Sequence, residues 1–206
     1  MIVAPPVAIA VSPARVALAA GETRELHVAN RGSSTAVVAV ATAGYALGLH
    51  GRVRLLAGGA AVVVRPQRLV VAPRRSATLT VTGAARSPGD HPGVVLLTTE
   101  RPASDIAVRV RVGVVVLVRG SGPVVHRVVV ERVRAHAGRL DLWLRNSGNV
   151  AEALRIRVGV GKRWLRDSRQ LLPHARGVSE LRVHAHGLVQ VEIAYGARVL
   201  RRVFRL

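Results

Sequence analysis

Apolar and polar residues alternate along several short stretches of this chain, with the two-residue period of β-strands. Leu26 and Val28, for example, alternate with polar side chains. The same pattern recurs in the segments 77–83, 106–118, 139–146 and 179–187. Clusters of Gly, Pro, Asn and Ser separate these segments, and no stretch shows a sustained helical period apart from one turn around 162–172. Short strands punctuated in this way are typical of a β-sandwich.

This pattern occurs twice along the chain. In HVANRGSSTAVVAV (27–40) and again in WLRNSGNVAEALRIRV (143–158), a strand is followed by Asn-x-Gly and a second alternating run. A Pro-containing turn between two strands comes later in each half. Gly, Ser and Pro interrupt the apolar pattern at 119–124, as expected of a linker. The chain is therefore predicted to be all-β, with two consecutive immunoglobulin-like β-sandwich domains at 1–119 and 120–206.

The two Asn-x-Gly turns are predicted to be structural. Asn30 and Asn146 can bond their own local backbone, and Gly32 and Gly148 are expected to adopt positive φ. The rival interpretation is a ligand-binding loop, but the occurrence of the same motif in both halves favours a role in the fold.

Half of the 206 residues are hydrophobic, yet only 2% are aromatic. The cores must therefore consist of Val, Leu and Ala, and the β-branched, stiff Val suits a pleated sheet. Trp143, within an alternating strand, is expected to fill the core of the second domain rather than to stack on a ligand.

The formal net charge is +20, and Lys162 is the only lysine among the 31 basic residues. One interpretation is a surface that binds a polyanion; the other is a codon bias toward Arg, Ala, Val and Gly. The arginines are spread along the chain, which favours the second interpretation. Charge alone would also produce non-specific, salt-sensitive binding to nucleic acid. Because few aromatic side chains are available for stacking on bases, no specific nucleic-acid partner is predicted.

No motif for catalysis or for a phosphate or dinucleotide site is present, and the absence of cysteine excludes disulfides and thiolate metal sites. Asp90 and His91 lie in a Gly/Pro-rich segment, where Asp90 is expected to form a turn beside a solvated histidine. His184 and His186, two positions apart on a predicted strand, would share one face, but no third metal ligand is evident. A non-enzymatic protein without a cofactor or a metal is predicted.

The beginning of the chain lacks the basic region of a signal peptide, and Pro5 and Pro6 interrupt its apolar run. The longest uncharged stretch, 32–50, contains Ser, Thr and several glycines, so no membrane span is predicted. If the protein works outside the cytoplasm, its export signal is expected to be absent from this chain.

The segment VSPARVALAAGETRELHVANRG, with Arg15 and Asn30, resembles the first strands of PapD-like periplasmic pilus chaperones and of the N-terminal domain of WxL-interacting cell-surface proteins. RPQRLVVAPRRSATLTV and IAVRVRVGVVVLVRG resemble later strands of the same domain. The resemblance covers residues 8–120, and beyond them only the sandwich type is similar. It implies an extracytoplasmic location, in the periplasm or at the cell surface.

In pilus chaperones an arginine of the first strand and a lysine of the last strand of the first domain bind the terminal carboxylate of a subunit. By resemblance, Arg15 matches that arginine. Counting back from Arg119 puts Gly113 near the lysine position, and the nearest cations are Arg111 and Arg109. Arg15, Arg109 and Arg111 are therefore the candidate binding residues.

Two functions follow as expectations. The leading one is a non-enzymatic binding or structural module of the bacterial cell surface, which binds another exported or surface protein, or an anionic wall polymer, through loops and edge strands. The alternative is chaperone-like capture of an exported subunit by β-strand addition to the strand at 106–118.

Overall fold

The computed structural model describes residues 8–58, 60–100 and 109–206, which form seventeen β-strands. They divide into two compact units. The first comprises the described part of Met1–Tyr45 and Leu55–Ser121, and the second comprises Ala46–Arg54 and Gly122–Leu206. None of the described segments is a helix with the length and hydropathy that crossing a bilayer requires.

Two sheets of mostly antiparallel strands form the first unit, although residues 46–47 and 53–54 of two of these strands belong to the second unit. One sheet has the strand order β1-β3-β8-β6, and the other β2-β10-β9-β4-β5 with β7 also paired to β4. The strands are β1 (Ile9–Ser12), β2 (Arg15–Ala19), β3 (Thr23–Asn30), β4 (Ala36–Leu47), β5 (Val53–Leu56), β6 (Val62–Arg65), β7 (Arg68–Val71), β8 (Ser76–Gly83), β9 (Gly89–Thr99) and β10 (Arg111–Gly120).

The second unit repeats this plan with fewer strands. Its sheets have the orders β11-β12-β15 and β14-β13-β16-β17. The strands are β11 (Val128–His136), β12 (Arg139–Asn146), β13 (Glu152–Val160), β14 (Arg163–Leu171), β15 (Arg176–Arg182), β16 (Leu188–Tyr195) and β17 (Arg198–Arg205). The prediction of an all-β protein with two sandwich domains is confirmed.

Each unit has its own core, made from every second residue of its strands. In the first, Val114, Val116 and Val118 of β10 are fully buried between the sheets, among other Val and Leu side chains. In the second, Leu residues of β12 face Leu154 and Ile156 of β13. Burial of these aliphatic chains stabilises each sandwich without the aromatic residues that the composition lacks.

Trp143 does not fill the second core, so that prediction is wrong. Leu140, Leu142 and Leu144 of β12 all point into the core, and the strand period turns Trp143 to the opposite face. There the guanidinium of Arg132 lies 4.8 Å from the centre of the indole ring.

Candidate functional site

Strand β10 is bonded unequally along its two sides. It pairs with β9 over its whole length, from Arg111 opposite Thr98 to Gly120 opposite Gly89. On its other side β2 pairs with it in parallel, but only along residues 115–119. In the described part of the chain, no strand covers residues 111–114 on that side. This four-residue stretch, the open edge of β10, is the candidate binding site.

Every second residue of the open edge directs its backbone N–H and C=O groups away from β9. At Val110 the N–H and the C=O bond Thr99 on the β9 side, whereas the Val115 N–H donates to the Ala14 carbonyl oxygen on the β2 side at 3.1 Å. Successive residues of an antiparallel strand alternate between the two sides. Arg111 and Gly113 therefore point their N–H and C=O groups the same way as Val115, toward the space that β2 leaves open.

The edge is open because the chain crosses from one sheet to the other between β1 and β2. Ser12 at the end of β1 pairs with His27 in one sheet, and Arg15 at the start of β2 pairs with Val115 in the other. Pro13, between them, has no N–H to give to a ladder. The chain thus reaches β10 only at Val115.

Arg15 stands where the open edge begins. It is exposed on the outer face of the sheet, and no carboxylate of the described residues forms an ion pair with it. Its positive charge acts on the buried phenol of Tyr45. Burial raises the pKa of Tyr45 above its ordinary value, and the charge of Arg15 opposes that rise.

Arg111 lies on the open edge, and Arg109 lies two residues before β10. By the strand alternation Arg111 shares the outer face with Arg15, and both Arg111 and Arg109 are exposed. The Nε of Arg111 donates to the Thr98 hydroxyl at 3.3 Å. Since Arg15 lies opposite Val115, Arg111 is four residues and roughly 13 Å along the strand, and Arg109 six residues and roughly 20 Å. The structure thus places the three arginines at different levels along the strand, and the residue opposite Arg15 is Val115.

An ion pair near the far end of β10 was missed by the sequence analysis. Asp90 is not in a turn: it lies in β9 directly opposite Arg119, with its side chain only 1% exposed. Its two carboxylate oxygens accept hydrogen bonds from Arg119 at 2.5 and 2.9 Å. The two residues are 29 positions apart in sequence, so only the strand register reveals the pair.

His184 and His186 follow the end of β15 and are not part of a strand, contrary to the sequence expectation. His184 lies against Gly138, close to where a Cβ would stand. Within the described ranges, no group of three or more His, Asp or Glu side chains is arranged to hold a metal ion.

Comparison with solved structures shows that the chain has the fold of two-domain fimbrial chaperones. The crystal structure of the class 5 fimbriae chaperone CfaA matches with a TM-score of 0.69 at 11% identity, over 97% of this chain and 99% of that chain. A chain of the CsuC–CsuE chaperone–tip subunit pre-assembly complex from Acinetobacter baumannii matches with a TM-score of 0.59 at 14% identity, over 95% and 97%.

A third similar structure is the complex of the Salmonella enterica SafA pilin with the SafB chaperone, with a TM-score of 0.56 at 14% identity and 96% of each chain covered. The predicted resemblance to the PapD-like fold is therefore confirmed, and it extends over both domains. No protein-family profile matches the sequence, and no curated protein sequence matches it.

Proposed function

We propose that this protein is a non-enzymatic, chaperone-like binding protein that works outside the cytoplasm. It captures an extended segment of an exported protein as an additional strand on the open edge of β10. The observation that carries this proposal is the unequal pairing of β10, which leaves residues 111–114 without a partner strand on the β2 side within the described ranges.

The open edge has the properties that strand addition requires. The N–H and C=O groups of Arg111 and Gly113 are available for main-chain hydrogen bonds, which give such complexes their affinity. Val114 is fully buried and Val112 half-buried in the same stretch, so the strand is held in place by the core of its own domain. An incoming strand would continue the sheet without any rearrangement of β9.

The fold comparisons support capture of a protein rather than binding of a wall polymer. Two of the similar structures are complexes of a chaperone with a pilus subunit. An exported subunit is the kind of partner that this fold serves there, which also favours an extracytoplasmic location for the present chain.

Arg15, Arg111 and Arg109 would supply the charged contacts of the captured segment. A strand that runs along the open edge toward β2 ends at Arg15, so a terminal carboxylate there would meet a guanidinium that has no ion pair within the described ranges. Arg111 and Arg109 would contact the same segment further along its length.

The sharpest test replaces Gly113. The Gly113 N–H points to the open edge, and no other described strand accepts a hydrogen bond from it. Gly113→Pro removes this donor, and proline is tolerated in edge strands at positions whose N–H side faces solvent. Gly113→Ala is the matched control, because its Cβ meets Val94 at the same 3.3 Å and the N–H stays. Each variant is co-expressed with a panel of exported pilin-type subunits, and the recovered complex is quantified.

We expect Gly113→Ala to recover subunits as the wild type does, and Gly113→Pro to lose them while circular dichroism and urea unfolding show a folded protein. Equal recovery by the two folded variants would overturn strand addition at this edge.

A further inference from the structure

The outer face of the sheet β14-β13-β16-β17 carries a combination of side chains that strand capture does not use. Three rows of outward residues cross all four strands of this face, and one of them runs from Arg166 through Arg157 and Glu192 to Arg201. The next row runs from Trp164 to Val203. We refer to the outward residues of these four strands as the tryptophan face.

Trp164 is fixed in place, although it is 47% exposed. It lies opposite Gly159, and a Cβ at Gly159 would stand only 3.2 Å from the six-membered part of the indole, so the ring lies directly over the glycine. The guanidinium of Arg157 is 4.9 Å from the ring centre. The indole is therefore held on the surface by a small residue beneath it and a cation beside it.

Three aliphatic side chains are exposed on the same face. Leu188 is 64% exposed, Val199 54% and Val203 63%, and the register turns all of them outward, away from the core residues Val189, Val191 and Ile193. An open groove of about 510 Å³ runs between Trp164 and Val203, with Gln190 on its floor. Large apolar side chains that share one exposed face in this way indicate an interaction surface.

The charge of the face is strongly positive. Five arginines point outward from it, against the single carboxylate of Glu192, and they are Arg155, Arg157, Arg166, Arg201 and Arg205. Glu192 is already shared between Arg157 at 3.6 Å and Arg201 at 3.2 Å. Arg155, Arg166 and Arg205 have no carboxylate of the described residues within ion-pair distance. An anionic partner complements the charge of such a surface.

We propose that the tryptophan face docks on the surface of an anionic lipid bilayer. The outward side chains of four adjacent strands form a broad face that can contact a membrane surface, and the amphipathic indole of Trp164 has the preference of tryptophan for the headgroup level. The aliphatic side chains of Leu188, Val199 and Val203 enter the boundary of the acyl chains, while the arginine guanidiniums stay at the lipid phosphates. The protein would thereby present its other surfaces at the membrane from which exported proteins emerge.

The two tryptophans of the chain allow a direct measurement of insertion. In Trp143→Phe, Trp164 is the only tryptophan, and in Trp164→Phe, Trp143 serves as the matched control. Each full-length variant is mixed with vesicles of equal parts phosphatidylglycerol and phosphatidylcholine whose acyl chains are brominated, at about 0.15 M salt. Bromine quenches an indole only when that indole reaches the acyl boundary. We expect quenching of Trp164, no quenching of Trp143, and no quenching of either in vesicles of phosphatidylcholine alone.

A second measurement separates this face from the general positive charge of the protein. Arg155→Gln with Arg166→Gln should lower the partition into the anionic vesicles about 10- to 30-fold, at the usual contribution of an arginine near such a surface. Arg31→Gln with Arg86→Gln removes the same charge from exposed positions of the first unit. This pair should lower the partition into the anionic vesicles less than about threefold.

The proposal is overturned if brominated anionic vesicles leave Trp164 unquenched, or if the two arginine pairs lower the partition equally. A Trp164 emission that responds to soluble dextran sulfate but not to vesicles would assign the face to a soluble polyanion, and would also overturn it. None of these outcomes depends on strand capture at β10.

Discussion

Asn30 and Asn146 end corresponding strands in the two domains, and each joins the turn that follows it to a distant strand by the same type of hydrogen bonds. Asn30 ends β3 and is buried; its Nδ2 donates to the carbonyl oxygens of Ser34 at 2.8 Å and Val71 at 3.0 Å, and its Oδ1 accepts from the Gly32 N–H at 2.9 Å. One amide side chain thus joins the turn that follows its own strand to the end of a strand about 40 residues later.

Asn146 ends β12 and repeats the arrangement. Its Nδ2 lies within hydrogen-bond distance of the carbonyl oxygens of Val150, Leu171 and Leu172, and its Oδ1 accepts from the Gly148 N–H at 3.0 Å. The structural role predicted for the two turns agrees with this bonding, but the reason given for the glycines is wrong.

Neither Gly32 nor Gly148 is among the residues with positive φ. Gly148 is required by space instead: a Cβ there would stand 2.0 Å from the Val125 carbonyl oxygen. The close approach of two backbone segments, rather than a left-handed conformation, selects the glycine.

Replacing Asn146 with Ala should therefore lower the free energy of unfolding by about 2–3 kcal/mol, because buried carbonyl groups lose their donor and cannot reach water. Ser147→Ala, at a half-buried neighbour whose hydroxyl makes one long hydrogen bond, is the control and should change the free energy of unfolding by less than about 0.5 kcal/mol. Urea unfolding measures both. Equal midpoints for the two variants would contradict the structural role of Asn146.

The strands with a buried face were predictable, because core packing imposes the two-residue period on their sequences. The segment 139–146 became β12 with the boundaries that its alternation indicates. Strand β14, over Arg163–Leu171, was missed: it lies at the edge of its sheet, and its exposed Arg, Trp and Gln side chains show no apolar alternation. The single helical turn expected around 162–172 is therefore wrong.

The candidate site could be predicted only in part, since it depends on relations between strands. Arg15 and the strand at 106–118 were both identified, although residues 106–108 lie outside the described residues. Which residue of β10 lies opposite Arg15 is set by the parallel register, and neither strand's sequence contains that information. The open edge arises because the chain changes sheets at Pro13, which an alternation pattern within one strand cannot reveal.

The pair of Asp90 and Arg119 should stabilise the first domain. Arg119→Gln leaves the Asp90 carboxylate buried without this partner, and should lower the free energy of unfolding by about 1–3 kcal/mol, less than for a fully buried pair because the arginine is half exposed. Adding Asp90→Asn should recover part of the loss, as urea unfolding of the single and double variants can measure. A double variant less stable than Arg119→Gln alone would argue against this account.

The pKa of Tyr45 should depend on the positive charge of Arg15. In Tyr195→Phe, Tyr45 is the only tyrosine, and because burial raises its pKa, it should form phenolate above the ordinary value of 10.0, as followed by near-ultraviolet absorbance. Adding Arg15→Ala should raise the pKa of Tyr45 further, because the positive charge that favours the phenolate is removed. A pKa that falls on removal of Arg15 would show that the two groups do not interact in this way.

The same shift of Tyr45 has a consequence for stability. The folded-state pKa of the phenol lies above the unfolded value, so the stabilisation linked to it is fully present below pH 10 and is lost as the pH rises through the folded-state pKa. The free energy of unfolding of Tyr195→Phe should therefore fall with pH in this range. Tyr45→Phe with Tyr195→Phe should show a smaller decline.

The arginines along the open edge should contribute unequally to capture. Arg15 stands at the rung where β2 begins, so Arg15→Ala should weaken subunit binding about 10- to 100-fold, the usual size for a lost charge-assisted hydrogen bond. Arg111→Ala should weaken subunit binding less than Arg15→Ala does, and Arg109→Ala should weaken it least. The double variant Arg15→Ala, Arg111→Ala should weaken it most. All four variants should unfold like the wild type, because none of these side chains forms an ion pair within the described ranges.

Arg15→Lys separates the contribution of charge from that of geometry, since it keeps the positive charge and loses the planar guanidinium that binds both carboxylate oxygens. Titration of each variant with a captured subunit measures the order, and Arg31→Ala, an exposed arginine of β3's following turn, is the control. Wild-type affinity in the Arg15→Ala, Arg111→Ala double variant would remove the arginines from the binding site and leave capture to the backbone of β10 alone.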